Sequence, residues 1–420
     1  MPLISELQNK IDQLSKAVSD ESITLTLDLH KYPELSGMES QTAAILADRL
    51  QAMGLEIKPC LQSMGFIATF QSSKPGRVIA FRVDMDALPI KEESEVIYAS
   101  CVNGISHACG HDVHCAVAIG VARVLVSLKD QLSGTVRFIF QPEEEEISGA
   151  IKMIRCGALD EPKPDAIIGL HVCALPAGKL GWTDGLFLSG FHHYLVRLKD
   201  LAHDPPDLDR LDTLAAKCCE TIEGLNTLHI PENDVEDQVV WQGMLDGDEI
   251  YRNFVVYSAS MATEEPDAWR GHFGLGLKAA NRELHLQAYK KVKASIKEVC
   301  GDAQVRSKIE RMEVMDDVVN NTELVRQSLP ALSTALGEEN LLQVKAAYPF
   351  NCEDFAYYLK HIPGAMYWLG GSNPEKGKHA RLHTPNFDVD EACIPFGVQV
   401  FSTLLIDLLT REGETYDERE

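Results

Sequence analysis

The chain has 420 residues, 45% of them hydrophobic and 24% charged, and carries 63 acidic against 39 basic side chains for a net charge of −24. This is the composition of a globular chain with a sizeable core, and its acidity repels phosphate backbones and anionic lipid, so neither nucleic acid nor membrane is expected as a partner. No run of 18 apolar residues is present, so no spanning helix is expected.

The opening stretch, MPLISELQNKIDQLSKAV, mixes acids and amides with apolar residues. It predicts an amphipathic helix, not a signal peptide. Eleven scattered cysteines, an odd number, without an export signal predict reduced thiols in a cytoplasm. Cys101, Cys115, Cys156, Cys173, Cys218, Cys219, Cys300, Cys352 and Cys393 are expected as packing residues. QTAAILADRLQAMG predicts a helix ending at Gly54. RVIAFRVD (77–84), TVRFIFQ (135–141) and DAIIGLH (165–171) predict buried strands, and residues 112–130 a helix led by Asp112. This alternation predicts an α/β core. Ligands of such folds sit beyond the carboxyl ends of strands, where Asp84, Asp86, Gln141, Glu144, Glu145 and His171 all fall.

The texture changes near residue 189. FHHYLVRLKD predicts a strand, LDTLAAKCCETIEGLNTL a helix, VVWQG and FVVYSASMA strands, and 279–299 a long helix. That is a β-α-β-β-α unit able to stand alone. After residue 303 helices are expected at 323–336, 352–360 and 391–410, with a strand at AMYWLG (365–370) and a frayed tail REGETYDERE. The expected plan is a catalytic α/β domain of residues 1–188 and 303–420, interrupted by a lid of residues 189–302.

HACGHDVH (107–114) concentrates electron-pair donors at a helix entrance. If extended, it points Cys109 and His111 to one side. Two readings stay open for that pair alone: a metal clamp, or a buried cysteine beside a capping histidine. Four consecutive glutamates, 143–146, follow an apolar strand. Adjacent carboxylates repel and favour a nearby cation, and such a pair can divide its work, one oxygen on metal and the other on a proton. His171 and His383 add donors at other element ends. Thiolate, imidazole and carboxylate together suit Zn, with Mn, Co and Ni also compatible. His107 and His114 fit supporting or capping roles equally, His192 and His193 lie on a lid strand, and Glu353 and Asp354 read first as helix-capping acids.

Seven segments in order resemble one family: LHKYPELSGMES (29–40), FRVDMDALPI (81–90), HACGHDVH (107–114), FQPEEEEISGA (140–150), GLHV (169–172), NCEDFAYYL (351–359) and LHTPNFDVDE (382–391). Together the chain resembles the M20 family of metal-dependent amidohydrolases and peptidases, in the branch of N-acyl-amino-acid, hippurate and auxin-conjugate hydrolases. The resemblance implies a catalytic α/β domain with a mixed sheet and helices on both faces, interrupted by a smaller α+β lid. It implies two divalent ions, Zn or Mn first and Co or Ni next, held by Cys109, His111, Glu145, His171 and His383, with Glu144 as general base. It places Asp84 and Asp86 behind the ligands, His203 at the oxyanion and Asn253 at the substrate.

The lid departs from the family pattern. The usual glycines before the histidine are Asp200 and Leu201, and TEEP (263–266) stands where an arginine is usual; Arg270 is not given that role. The implied function is amide hydrolysis of N-acyl amino acids or similar small molecules by a cytoplasmic homodimer joined through the lid. The alternatives are a dipeptidase or carboxypeptidase on the same metals, or a non-catalytic metal- or ligand-binding protein on the same scaffold.

Overall fold

The computed structural model describes residues 2–204, 206–261 and 271–411. In chain order the larger unit begins with α1 (Pro2–Ala17), α2 (Ser19–Lys31), α3 (Ser40–Ala52), β1 (Glu56–Pro59), β2 (Phe66–Gln71) and β3 (Lys74–Asp84). It continues with α4 (His111–Ser127), β4 (Ser133–Gln141), α5 (Gly149–Arg155), β5 (Ala166–Pro176), β6 (Leu180–Trp182) and β7 (Gly185–Leu188). The insert holds β8 (Phe191–Asp200), α6 (Leu208–Glu223), α7 (Asp234–Asp246), α8 (Glu249–Arg252), β9 (Val255–Met261), β10 (His272–Ala279), α9 (Arg282–Cys300) and β11 (Val305–Met315). The chain then returns through β12 (Val318–Asn320), α10 (Thr322–Leu336), β13 (Leu341–Gln343), α11 (Ala356–Leu359), β14 (Gly364–Ser372) and α12 (Cys393–Leu409).

An eight-stranded sheet of order β1-β2-β4-β3-β5-β14-β6-β13 forms the larger unit. Its centre, β4-β3-β5-β14, is parallel, and antiparallel pairs flank it. Buried on both faces, these strands read as continuous apolar runs. Along β3, Ile79, Phe81 and Val83 enter the core beneath α2, α4 and α12, whereas Ala80 enters the core on the other face. Arg82 shares that second face by alternation. α4 is buried almost throughout because the sheet, α2 and α12 surround it. Among the described residues no helix is long and apolar enough to cross a membrane.

The insert has its own sheet, β11-β8-β10-β9, with α6 and α9 packed in its core. Four expectations need correction. First, β11 pairs with β8 along Val305–Met315, so the insert's sheet extends past the expected boundary at residue 302. Second, VVWQG is not a strand but lies inside α7. Asn233 caps that helix by accepting the Glu236 N–H, Gly247 closes it in a left-handed conformation, and Val240, Trp241 and Met244 fall on one buried face at helical spacing. Helical period and capping override the β propensity of two valines. Third, the helix expected at 352–360 shrinks to Ala356–Leu359, because Glu353 and Asp354 turn inward onto Arg82. Fourth, Cys156, expected as a free packing residue, is disulfide-bonded to Cys60. The segment TEEP, Arg270 and all but the first residue of the tail lie outside the described residues.

Phe401 of α12 stacks on Phe81 at 5.3 Å and meets Tyr367 edge-on, with no exposure of its own. Phe401→Ala is expected to lower the unfolding free energy by about 3–5 kcal/mol, which urea denaturation followed by circular dichroism will show.

Candidate metal centre

Asp84 pairs with Gln141, so the carboxyl ends of β3 and β4 are level and the segments beyond them lie side by side. The turn after β4 holds Glu143 and Ile147 at positive φ, 56° for each, an uncommon backbone for residues with a Cβ. Neighbouring side chains hold it there. Glu39, fully buried, accepts the N–H groups of Gly37 and Glu143, each at 2.9 Å. Asp86 Oδ2 accepts the Glu145 N–H at 2.9 Å and the Ser36 hydroxyl at 2.7 Å. At Gly149 a Cβ would lie 1.7 Å from the Pro142 carbonyl oxygen, so only glycine lets the chain return this closely. Gly110, at φ 81°, turns the chain from Cys109 into α4.

These turns bring the donors together. Cys109 Sγ lies 3.5 Å from His171 Nε2 and 3.3 Å from His383 Nε2. His383 Nε2 lies 3.4 Å from Glu145 Oε1, and His111 Nε2 lies 3.9 Å from the same oxygen. Two three-donor sets result, Cys109–His111–His171 and Cys109–Glu145–His383, each with ligand atoms within 4.8 Å of one another. They share the Cys109 sulfur. The hydrogen bonds also set the tautomers. His111 Nδ1 donates to the Asp86 carbonyl at 2.8 Å and His171 Nδ1 to the Val172 carbonyl at 2.7 Å. Each ring therefore turns Nε2, and not Nδ1, towards the cluster. His114 is instead satisfied on both nitrogens, by Asp84 at 2.6 Å and by the Val172 N–H at 2.9 Å.

The surrounding charge is strongly negative. Glu144, Glu353 and Asp354 meet within 4.8 Å. Arg82, fully buried, is their counter-ion: it pairs with Asp84 at 2.6 Å and with Glu353 and Asp354 at 2.9 Å each, and donates to Gln141 at 2.9 Å. Burial, then the carboxylates of Glu353, Glu145 and Asp354, push the Glu144 carboxyl well above its ordinary range. Burial, then Glu145 and Glu144, push the Cys109 thiol up in the same way. At His111 burial opposes the charged form, but Asp84, Asp86 and Glu145 prevail and raise it to about 10. Each of these directions states one demand, for positive charge among buried acids. His111 Nε2 and Glu145 Oε1 are buried atoms with no hydrogen-bond partner among the described residues. Buried polar atoms are rarely left so, and a cation between them satisfies both. The donor set fits divalent metal.

The structure thus brings together Cys109, His111, Glu145, His171 and His383, places Glu144 beside them, and puts Asp84 and Asp86 behind His114 and His111. It does not bring His203 or Asn253 to the cluster. His203 is exposed on the lid and pairs with Asp200 at 2.9 Å; Asn253 is exposed at the end of α8. Sequence reading missed Arg82 and Glu39. A lone cation inside the apolar run VIAFRVD was the available signal for the first. Nothing local marked the second.

Glu39→Ala is expected to weaken divalent-metal affinity about 10–100-fold, the usual cost of losing a group that orients ligands, whereas Glu39→Gln keeps an acceptor oxygen and loses less. Calorimetric titration with Zn²⁺ measures both.

Comparison with known proteins agrees with this geometry. The family model for peptidase family M20/M25/M40 matches residues 80–407. The chain is 30% identical to the Arabidopsis thaliana IAA-amino acid hydrolase ILR1-like 2, over 97% of this chain and 90% of that one. It is 31% identical to a Bacillus subtilis N-acetyl-L-cysteine deacetylase, over 87% and 83%. Among solved structures, a Bacillus subtilis dinuclear metal-binding peptidase of the M20 family superposes with a TM-score of 0.70 at 27% identity, covering 94% of this chain and 99% of that one. The match spans both units of the fold and the whole donor cluster, and the chain belongs to peptidase family M20/M25/M40 as a metal-dependent hydrolase.

Proposed function

We propose that the protein cleaves the amide bond of N-acyl amino acids or closely similar small amides, with Glu144 as general base and Cys109, His111, Glu145, His171 and His383 holding two divalent ions. The observation that carries this reading is the position of Glu144: it is buried, and its ligand atom lies within 4.8 Å of those of His111 and Glu145. A carboxylate beside the ligands but outside both three-donor sets is placed to handle a proton.

Two bound ions would supply Lewis acidity, lowering the pKa of a water towards neutrality and polarising the scissile carbonyl. Glu144 takes the proton from that water and returns it to the departing amine nitrogen. Its burial among acids raises its proton affinity, which favours the uptake step. Arg82 and Gln141 fix Asp84, Glu353 and Asp354, so the acids around Glu144 do not shift as the proton moves. The Cys109 thiolate favours Zn, and the carboxylate and imidazole donors also admit Mn. His203, paired with Asp200 and exposed on the lid, is suited to polarise a carbonyl in the cleft of a second copy, a role that requires a homodimer joined through the lid. No role is proposed for Asn253.

The acyl-amino-acid hydrolases among the relatives favour that substrate class. A Saccharolobus solfataricus thermostable carboxypeptidase, 27% identical over 97% of this chain and 99% of its own, favours peptides as the second reading. Nine free cysteines fit a reducing cytoplasm, and the Cys60–Cys156 bond is the one feature that fits an oxidising compartment.

Glu144→Gln is expected to lower kcat by about 10²–10⁴-fold while two ions remain bound, seen by steady-state assay and elemental analysis of the same sample. Absence of turnover by the wild-type protein on both acyl-amino-acid and dipeptide panels would leave a binding protein instead. Removal of metal by a chelator is expected to abolish hydrolysis and lower Tm, and added Zn²⁺ or Mn²⁺ to restore both.

A further inference from the structure

Most of the 31 residues between α6 and β9 leave the insert's own core. Leu228, Val240, Trp241, Met244, Tyr251 and Phe254 instead join the apolar cluster beneath the large sheet. α7 and α8 therefore form an arm that leaves the insert, docks on the larger unit and returns. Gly243 makes the arm compact, since a Cβ there would lie 2.1 Å from the Tyr251 ring.

The arm lands on two segments that carry donor histidines. The Trp241 ring stacks on Tyr348 at 5.2 Å and meets Trp368 edge-on at 5.1 Å, and Trp368 in turn packs against His171 at 5.8 Å. Gln238 donates to the Ala174 carbonyl at 3.0 Å, further along the strand that bears His171. On the other side, Arg381 pairs with Asp234 at 3.1 Å and donates to the Pro231 carbonyl at 3.0 Å. His379 approaches Asp234 at 3.7 Å.

His383 needs such an anchor more than any other donor. Its side chain is 40% exposed and its backbone sits at φ 58°. Its N–H donates to the Ala108 carbonyl, beside Cys109, at 2.8 Å, and within its own segment the Thr384 hydroxyl donates to the Arg381 carbonyl at 2.8 Å. A strained, exposed ligand keeps its place only when its surroundings over-determine it.

We propose that the arm of residues 228–254 is a positioning element for the metal centre, and that Asp234 and Arg381 are its positioning pair for His383. This rests on the two-ion reading above. A surface ion pair contributes little to global stability, so Asp234 acts on the geometry of one loop and not on the fold as a whole. The donor set most affected is Cys109–Glu145–His383.

The test is calorimetric titration of the full-length metal-free protein with Zn²⁺, together with hydrogen exchange over residues 379–387. Asp234→Ala is expected to weaken one of two sites about 10–100-fold, leave the other unchanged and speed exchange in that loop. Asp234→Glu, which keeps the ion pair, is expected to behave as wild type. Trp241→Ala is expected to weaken the same site and to loosen the His171 strand as well. Wild-type affinities at both sites and unchanged exchange in Asp234→Ala would overturn the positioning role while leaving two-ion binding intact. A wild-type protein that binds fewer than two ions would overturn both.

Discussion

The controlling constraint is the burial of like charge. Asp84, Asp86, Glu144, Glu145, Glu353 and Asp354 converge at the ends of β3 and β4 and at the start of α11, with Arg82 as the one fully buried guanidinium among them. A low-dielectric interior does not tolerate that excess without further positive charge. The unsatisfied atoms, His111 Nε2 and Glu145 Oε1, lie where such charge belongs. Much of the surrounding architecture serves to hold acids against their mutual repulsion: Glu39 on the Glu143 N–H, Asp86 on the Glu145 N–H, and Gln141 between Arg82 and Asp354.

Most of the clustered groups were legible in the sequence because they stand at the ends of elements whose periodicity is plain; His171 instead lies in the middle of β5, which runs on to Pro176 past the expected end at residue 171. Cys109 and His111 precede the apolar run of α4, Glu144 and Glu145 follow β4, and His171 lies in β5. Convergence was legible only through the order of the segments, since no local signal states that His383 meets Cys109. Arg82 was harder to see. One cation in an apolar strand has no meaning until the far-off Glu353 and Asp354 are placed on it. The same two acids explain why the helix expected at 352–360 begins late.

The insert was read less well, for a physical reason. VVWQG carries β-formers, and its short apolar run fits strand or helix alike. The outcome was decided by groups outside the run: the Asn233 cap, the left-handed Gly247, and the aromatic socket of Tyr348 and Trp368 that receives Trp241. That socket belongs to the other unit, so tertiary packing selected the conformation. As a result the insert is tied to the larger unit through its middle as well as through its ends. Lys278 of β10, buried and bonded to the Asn351 carbonyl, is a further tie next to Glu353.

The claim on which the rest depends is that the two donor sets meeting at the Cys109 sulfur would each hold an ion. Anomalous diffraction from crystals grown with Zn²⁺ tests it most directly. The account predicts two peaks, one bounded by Cys109, His111 and His171 and the other by Cys109, Glu145 and His383, each about 2.3 Å from the sulfur. A single peak, or two peaks of which neither touches Cys109, would contradict it.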